Sequence, residues 1–368
     1  MESYPFQRFI KAENASSIML VSKTLKCKVF NPTESKLQLL NDEYSNFQIY
    51  ARSGKDFGIY SLTKSTFDFK HRREIRKKKQ PMFLASQSTK FKITNNKLTP
   101  YWFRIPVHGK RGGIWLPIRP HENIDFSWEI REAKLLKRKK DFWVYITVRK
   151  EVQLRTSYSS VLALDIGEKV IAAAVLSSVH KPIFLGREVR GIRRHHAWLR
   201  KRLQERELFK KLKEMRGKER RGVELVLHEV SKYIVELAEK NNSIIVLGDL
   251  KGIRKQDKGK RFNRIVNSFP FNKLSFFIEY KAHLRGIMVV KMKEDYTSKT
   301  CSRCGEEGKR VNQGLFKCPH CKYQANADFN GAMNILKRSW EHVFQDGAVA
   351  FSPEPPMTEQ TRAEAHNI

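Results

Sequence analysis

Val161–Leu176 reads VLALDIGEKVIAAAVL. Two apolar runs, VLALD (Val161–Asp165) and VIAAAVL (Val170–Leu176), flank a short polar break and read as neighbouring β-strands. Further along, IIVLGD (Ile244–Asp249) and IMVVKM (Ile287–Met292) read as two more buried strands, with helices between. One of those helices is explicit. Val230, Tyr233, Ile234, Leu237 and Ala238 fall at the i, i+3, i+4, i+7, i+8 spacing of a single apolar face. The C-terminal part is therefore expected to be a mixed α/β domain.

The part before about residue 155 has a different texture. Phe142, Val144, Ile146 and Val148 alternate along DFWVYITVRK, and HGKRGG sits between two apolar pieces of Ile105–Ile118 like a hairpin turn, so this part is expected to be β-rich. A more polar stretch near residues 35–90 interrupts it and carries KHRREIRKKK (Lys70–Lys79). From Arg190 to Arg221 runs a basic helical stretch with fourteen Lys/Arg and four Glu, expected to break at Gly217 and Gly222. Trp198, Leu199, Leu203 and Leu208 give it only a thin apolar stripe, so most of its surface faces solvent or phosphate. The tail after residue 341, with Pro353, Pro355 and Pro356, is expected to be disordered.

Charge narrows the partners. The 368 residues carry 72 Lys+Arg against 38 Asp+Glu, a formal net charge of +34, whose natural counterpart is a polyanion. No stretch approaches a membrane-spanning helix, and MESYPFQRF lacks the basic and apolar regions of a signal peptide. The expectation is a soluble intracellular protein with no membrane partner, cytoplasmic in a prokaryote and nuclear in a eukaryote. The five cysteines agree with a reducing compartment, since four of them are clustered as paired C-x-x-C units.

Those four, Cys301-x2-Cys304-x13-Cys318-x2-Cys321, are the spacing of a closed tetrahedral Zn²⁺ site, which is structural because no coordination position stays open. His320 lies inside the second pair but is not needed. Two carboxylates stand where α/β folds collect ligands. Asp165 ends a strand, and Asp328 opens a helix in which Asp328, Ala332 and Ile335 share a face. Either could equally cap a turn or a helix.

The ordered set LALDIGEKVIAAAV, HEVSKYIVELAEK, IIVLGDLKG, FIEYKAHLRGIMVV, YTSKTCSRCG and CPHCKYQANADFNGAMNIL resembles the RuvC-like nuclease of transposon-encoded TnpB proteins. Fanzor proteins and miniature type V CRISPR effectors are their relatives. The resemblance covers about residues 158–338. It implies an RNase H-like (RuvC) nuclease domain over 158–300 and 324–340 with an inserted zinc ribbon at 301–323. Before it would come a β-rich wedge domain (1–35 and 90–155) carrying a helical recognition insertion (36–89). It also implies an RNA-guided DNA endonuclease with guide RNA and target double-stranded DNA as partners, structural Zn²⁺, and two catalytic Mg²⁺ ions.

The family's acidic set is Asp, Glu, Asp. Asp165 and Asp328 match the aspartates, but the glutamate position is Gly248, in Gly248-Asp249-Leu250. Three explanations stay open. The site is dead, and the protein is an RNA-guided DNA-binding repressor. Asp249 substitutes, which strand alternation disfavours. Or the acid has moved to Glu294, three residues before Thr297-Ser298, an E-x-x-T-S context that resembles Fanzors and their close relatives. Asp295 is its neighbour. The favoured set for Mg²⁺ and catalysis is Asp165, Glu294 and Asp328.

Overall fold

A computed structural model describes residues 18–71, 79–122, 127–249, 259, 270–293, 299–312, 314–340 and 350–351. It divides into two compact units, Leu20–Glu151 and a second made of Met1–Met19 with Val152–Ile368. Lys70–Lys79 falls largely outside the described residues, as does most of the tail.

The first unit is built on β1 (Ile18–Val29), β2 (Met82–Leu84), β3 (Lys90–Ile93), β4 (Tyr101–Val107), β5 (Lys110–Pro120), β6 (Glu129–Arg138) and β7 (Asp141–Gln153). These seven form one sheet in the order β2-β6-β7-β1-β5-β4-β3. The alternating residues Phe142, Val144, Ile146 and Val148 all point into its core. Between β1 and β2 lie helices α1 (Glu34–Ser53) and α2 (Ser61–His71). Leu40, Tyr44, Phe47 and Ala51 share the inner side of α1, and Tyr44 meets Phe142 edge-on at 5.6 Å between ring centroids. The hairpin turn is tighter than HGKRGG suggests. Only His108-Gly109 turns, and Lys110–Gly113 already belong to β5. Gly113 has φ +66, and a Cβ there would fall 2.4 Å from the Ile105 carbonyl oxygen, so this close approach of two strands admits only glycine.

The second unit holds β8 (Ser157–Tyr158), β9 (Ser160–Asp165), β10 (Ala172–Leu176), β11 (Pro182–Leu185), β12 (Ser243–Asp249) and β13 (Val289–Lys293). Five of them make a sheet in the order β11-β10-β9-β12-β13. The first three are joined antiparallel, while β9, β12 and β13 run parallel. Three antiparallel strands continued by two parallel ones are the strand order of an RNase H-like fold. Val161–Leu164 and Ile244–Leu247 are wholly buried, as expected of central strands covered on both faces.

Among the described residues the unit has helices α3 (Glu188–Glu205), α4 (Phe209–Glu214), α5 (Lys218–Lys240), α6 (Phe271–Leu284) and α7 (Ala327–Ser339). No described helix is long and apolar enough to cross a membrane. Two expectations need correction. The basic stretch breaks at residues 206–208 and at Gly217, but Gly222 lies inside α5, where a Cβ would meet Ile192 of α3 at an ordinary contact distance of 3.5 Å. The apolar face of α5 runs through Val223, Val226, Leu227, Val230, Ile234, Val235 and Ala238, so Tyr233 stays exposed. The tail also departs in one place from the disorder expected of it: β17 (Ala350–Phe351) pairs in parallel with β8. Between β13 and α7 stands a small sheet of β14 (Lys309–Asn312), β15 (Leu315–Lys317) and β16 (Gln324–Ala325), closed on the fully buried Phe316.

Candidate metal centre

Asp165 is the last residue of β9, and the apolar run before it fixes which way it faces. It points toward the first turns of α7. A Cβ built on Gly331 would lie 2.4 Å from Asp165 Oδ2, so the carboxylate fills space that only a glycine leaves. Asp328 is one helical turn before Gly331 and therefore on the same side of α7. Its helix starts at Asn326, whose side chain accepts hydrogen bonds from the Asp328 and Phe329 N–H groups at 2.9 and 3.2 Å. Ala332 and Ile335 continue that side into the core, as their spacing predicts.

The two acids share one buried neighbourhood. Burial pushes the Asp165 carboxyl up to about 7, the Asp328 charge adds to the rise, and the Arg310 guanidinium and the Ile166 N–H oppose it. Asp328 also rises, again through burial, against the pull of Arg310 and Lys169. Arg310 Nη2 donates to Asp328 Oδ1 at 2.8 Å. Asp328 Oδ2 is buried and has no hydrogen-bond partner among the described residues. Two carboxyls that resist joint ionisation, with one orphaned buried oxygen, fit a divalent cation held by oxygen ligands.

Gly248 completes the row. Leu247 pairs with Leu164 across parallel strands, so one step on brings Gly248 beside Asp165 on the same face; on its other side Gly248 pairs with Met292. Asp249 has the opposite parity and leaves that face. Glu294 and Asp295 lie outside the described residues.

The four cysteines expected to hold zinc gather into one cluster. Cys301, Cys304, Cys318 and Cys321 bring their sulfurs within 4.8 Å of one another, with 3.7 Å between Cys301 and Cys321 and 3.6 Å between Cys304 and Cys318. A tetrahedron with Zn–S bonds of about 2.3 Å requires S···S separations of about 3.8 Å. All five cysteines are free, so no disulfide competes. The Cys318 thiol is lowered to about 7 by the Cys321 N–H, with the His320 N–H helping, which favours the thiolate that binds metal.

Two asparagines bolt this ribbon to the acids. Asn330, fully buried, accepts from the Ser302 N–H at 2.9 Å and donates to the Thr300 carbonyl at 2.8 Å, and Asn334 donates to the same carbonyl at 2.7 Å. That attachment brings Arg310 of β14 onto Asp328. Sequence reasoning missed Arg310 and Gly331. The only visible cue for either was a glycine three residues after an aspartate at a helix start.

Residues 271–335 match the family model described as the Cas12f1-like TNB domain. A TnpB-like protein of Methanocaldococcus jannaschii is 32% identical over 217 residues, covering 56% of this chain and 76% of that protein. The chain belongs to the TnpB-like family. The CRISPR-associated endodeoxyribonuclease Cas12f2 of a Micrarchaeota archaeon is 33% identical over 260 residues, or 63% of this chain, but the chain spans only 47% of that relative's length. Among solved structures, a Cas12f1–sgRNA–target DNA complex aligns over 86% of the chain at 15% identity with a TM-score of 0.41.

Proposed function

We propose that this TnpB-like chain is an RNA-guided DNA endonuclease whose acidic set is Asp165, Asp328 and Glu294. The support that carries this reading is the gap at Gly248. A carboxylate at that position would stand beside Asp165, and the row there ends in a bare backbone next to Met292. Glu294 follows Met292 by two positions in the sequence, the parity of the same row. An acid from the neighbouring strand end, about 4.8 Å away, would serve the cations that Gly248 cannot.

When bound, two Mg²⁺ ions supply an activated water and a clamp on the leaving oxygen. Asp165 and the orphaned Oδ2 of Asp328 would hold them, Gly331 keeps the Asp165 carboxylate in place, and Arg310 orients Asp328 through its other oxygen. The charge of +34 and the basic surface of α3 and α4 favour guide RNA and target duplex as partners, recognised by backbone shape. The seven-stranded unit with its two helices would serve as wedge and recognition region.

The loss of the glutamate at Gly248 also supports a second reading, a nuclease-dead RNA-guided repressor. One experiment separates the two. Protein purified with RNA from its own locus is given target plasmid and Mg²⁺. Double-strand cutting by wild type that Glu294→Ala abolishes supports the relocated acid; equal cutting by Glu294→Ala refutes it. A silent wild type revived by Gly248→Glu favours the dead site of the second reading.

A further inference from the structure

Away from the acids, α3, α4, α5 and the start of α6 line an open-mouthed cavity of about 700 Å³. Its origin is in the backbone. Glu207 (φ 52) and Gly217 (φ 81) adopt left-handed conformations on either side of α4, so this six-residue helix doubles back along α3. The Leu208 N–H bonds to the Leu203 carbonyl at 2.9 Å and closes the first reversal.

The floor is apolar, made by Leu212, Met215 and Val223, with Phe209 at the mouth and 63% exposed. The rim is basic, with six cationic side chains against two carboxylates. Both carboxylates are already occupied: Glu219 pairs with Arg200, and Glu224 pairs with Arg220 at 2.7 Å and with Lys273. Lys213 and Arg216 are exposed and pair with no carboxylate among the described residues.

An apolar recess of this size lies within the roughly 300–1,000 Å³ of small-ligand sites. Cations around it select an anion, and an exposed ring beside them is the composition of a stacking platform for bases. A duplex cannot use the recess, because its bases are stacked inside a continuous backbone. We propose that this cavity receives one unstacked nucleotide of a single strand, its base against Phe209 and Leu212 and its phosphates on Lys213 and Arg216. The site stands independently of DNA cleavage.

The test uses the full zinc-loaded chain at one fixed salt concentration. Twelve-nucleotide oligouridine carrying a single 5-iodouridine is photocrosslinked and the adduct mapped by mass spectrometry. A crosslink within residues 207–216 is expected. A crosslink found only elsewhere overturns the proposal. Affinity is read in parallel by fluorescence anisotropy on oligouridine, oligothymidine and a twelve-base-pair RNA duplex. Phe209→Ala is expected to weaken at least one single strand about tenfold, within the range of one stacked base, and to leave the duplex unchanged; Phe209→Tyr keeps wild-type affinity. Preference for oligouridine over oligothymidine names RNA as the source, and the reverse names DNA. Lys213→Gln with Arg216→Gln, both exposed, lowers single-strand affinity and its salt dependence together. Equal loss on duplex and single strand with Phe209→Ala, or a change of oligomeric state in its place, refutes the site.

Discussion

Replacing Asp165 by asparagine removes a charge while keeping the shape of the side chain, and the protein without free divalent ions should become more stable for it. In the wild type, burial and the Asp328 charge hold the Asp165 carboxyl at about 7, against about 3.9 in an unfolded chain. Between those values the folded state keeps a proton that the unfolded state has released. Stability is therefore full below about pH 4, falls as pH rises, and is lost once pH passes about 7. Three units at about 1.36 kcal/mol each set an upper bound near 4 kcal/mol. Asp165 is only partly shielded from water, so roughly 2–4 kcal/mol is the working range. At about 2–4 °C per kcal/mol for a unit of this size, the melting temperature shifts by roughly 5–15 °C. Thermal unfolding followed by circular dichroism at pH 5 and pH 8, with zinc retained and free divalent ions removed, measures it. Wild type should lose about two thirds of that between the two values, the rest having gone below pH 5 as the unfolded chain ionises, and Asp165→Asn should not, leaving the variant more stable at pH 8. Added Mg²⁺ should raise the wild type alone. Parallel pH profiles for the two proteins would show that Asp165 is not held protonated, and the account of this buried acid pair would fail.

Gly331→Ala separates stability from activity. The helix gains up to about 1 kcal/mol of propensity, but the new methyl displaces the Asp165 carboxylate, so plasmid cutting should fall at least tenfold while the melting temperature holds or rises. Arg310→Ala leaves Asp328 without its opposing charge, and the acidic limb of the pH–activity profile should move up by about one unit; an unmoved limb would leave Arg310 without a role at Asp328. Asn330→Ala strands the Ser302 N–H in a buried place at a cost of roughly 1–3 kcal/mol, measurable by urea unfolding, and should loosen Arg310 enough to lower cutting. Cys318→Ser should reduce bound zinc from near one per chain to a small fraction in a colorimetric chelator assay, with wild-type zinc retention declining as acid protonates the thiolates.

Much of the second unit was readable along the chain because its central strands are buried on both faces. Such strands must be continuously apolar, and VLALD and IIVLGD announce themselves without any partner in view. The cysteines are legible for a related reason: four ligands in two tight pairs are a local pattern with a global meaning. Arg310 is the opposite case. Nothing near it in sequence distinguishes it from the other basic residues, and it reaches Asp328 only because Asn330 and Asn334 fasten the ribbon to α7. Periodicity misled once: Tyr233 fits the apolar spacing of α5, but a tyrosine with its hydroxyl in water costs nothing, and the buried face turns toward Val235 and Leu227. The α3–α4–α5 cavity was likewise hidden, since left-handed Glu207 carries no sequence signature.

The pairing of β17 with β8 bears on how the chain can be re-engineered. Residues 350–351 lie alongside residues 157–158, so a segment that follows α7 returns beside the strand that leads into the five-stranded sheet. Units with neighbouring termini tolerate circular permutation. The exposed turn at residues 179–181, where His180 has a left-handed backbone (φ 53), offers a place to open a new start. A cargo domain could then be inserted at that turn, away from both the acid row and the ribbon.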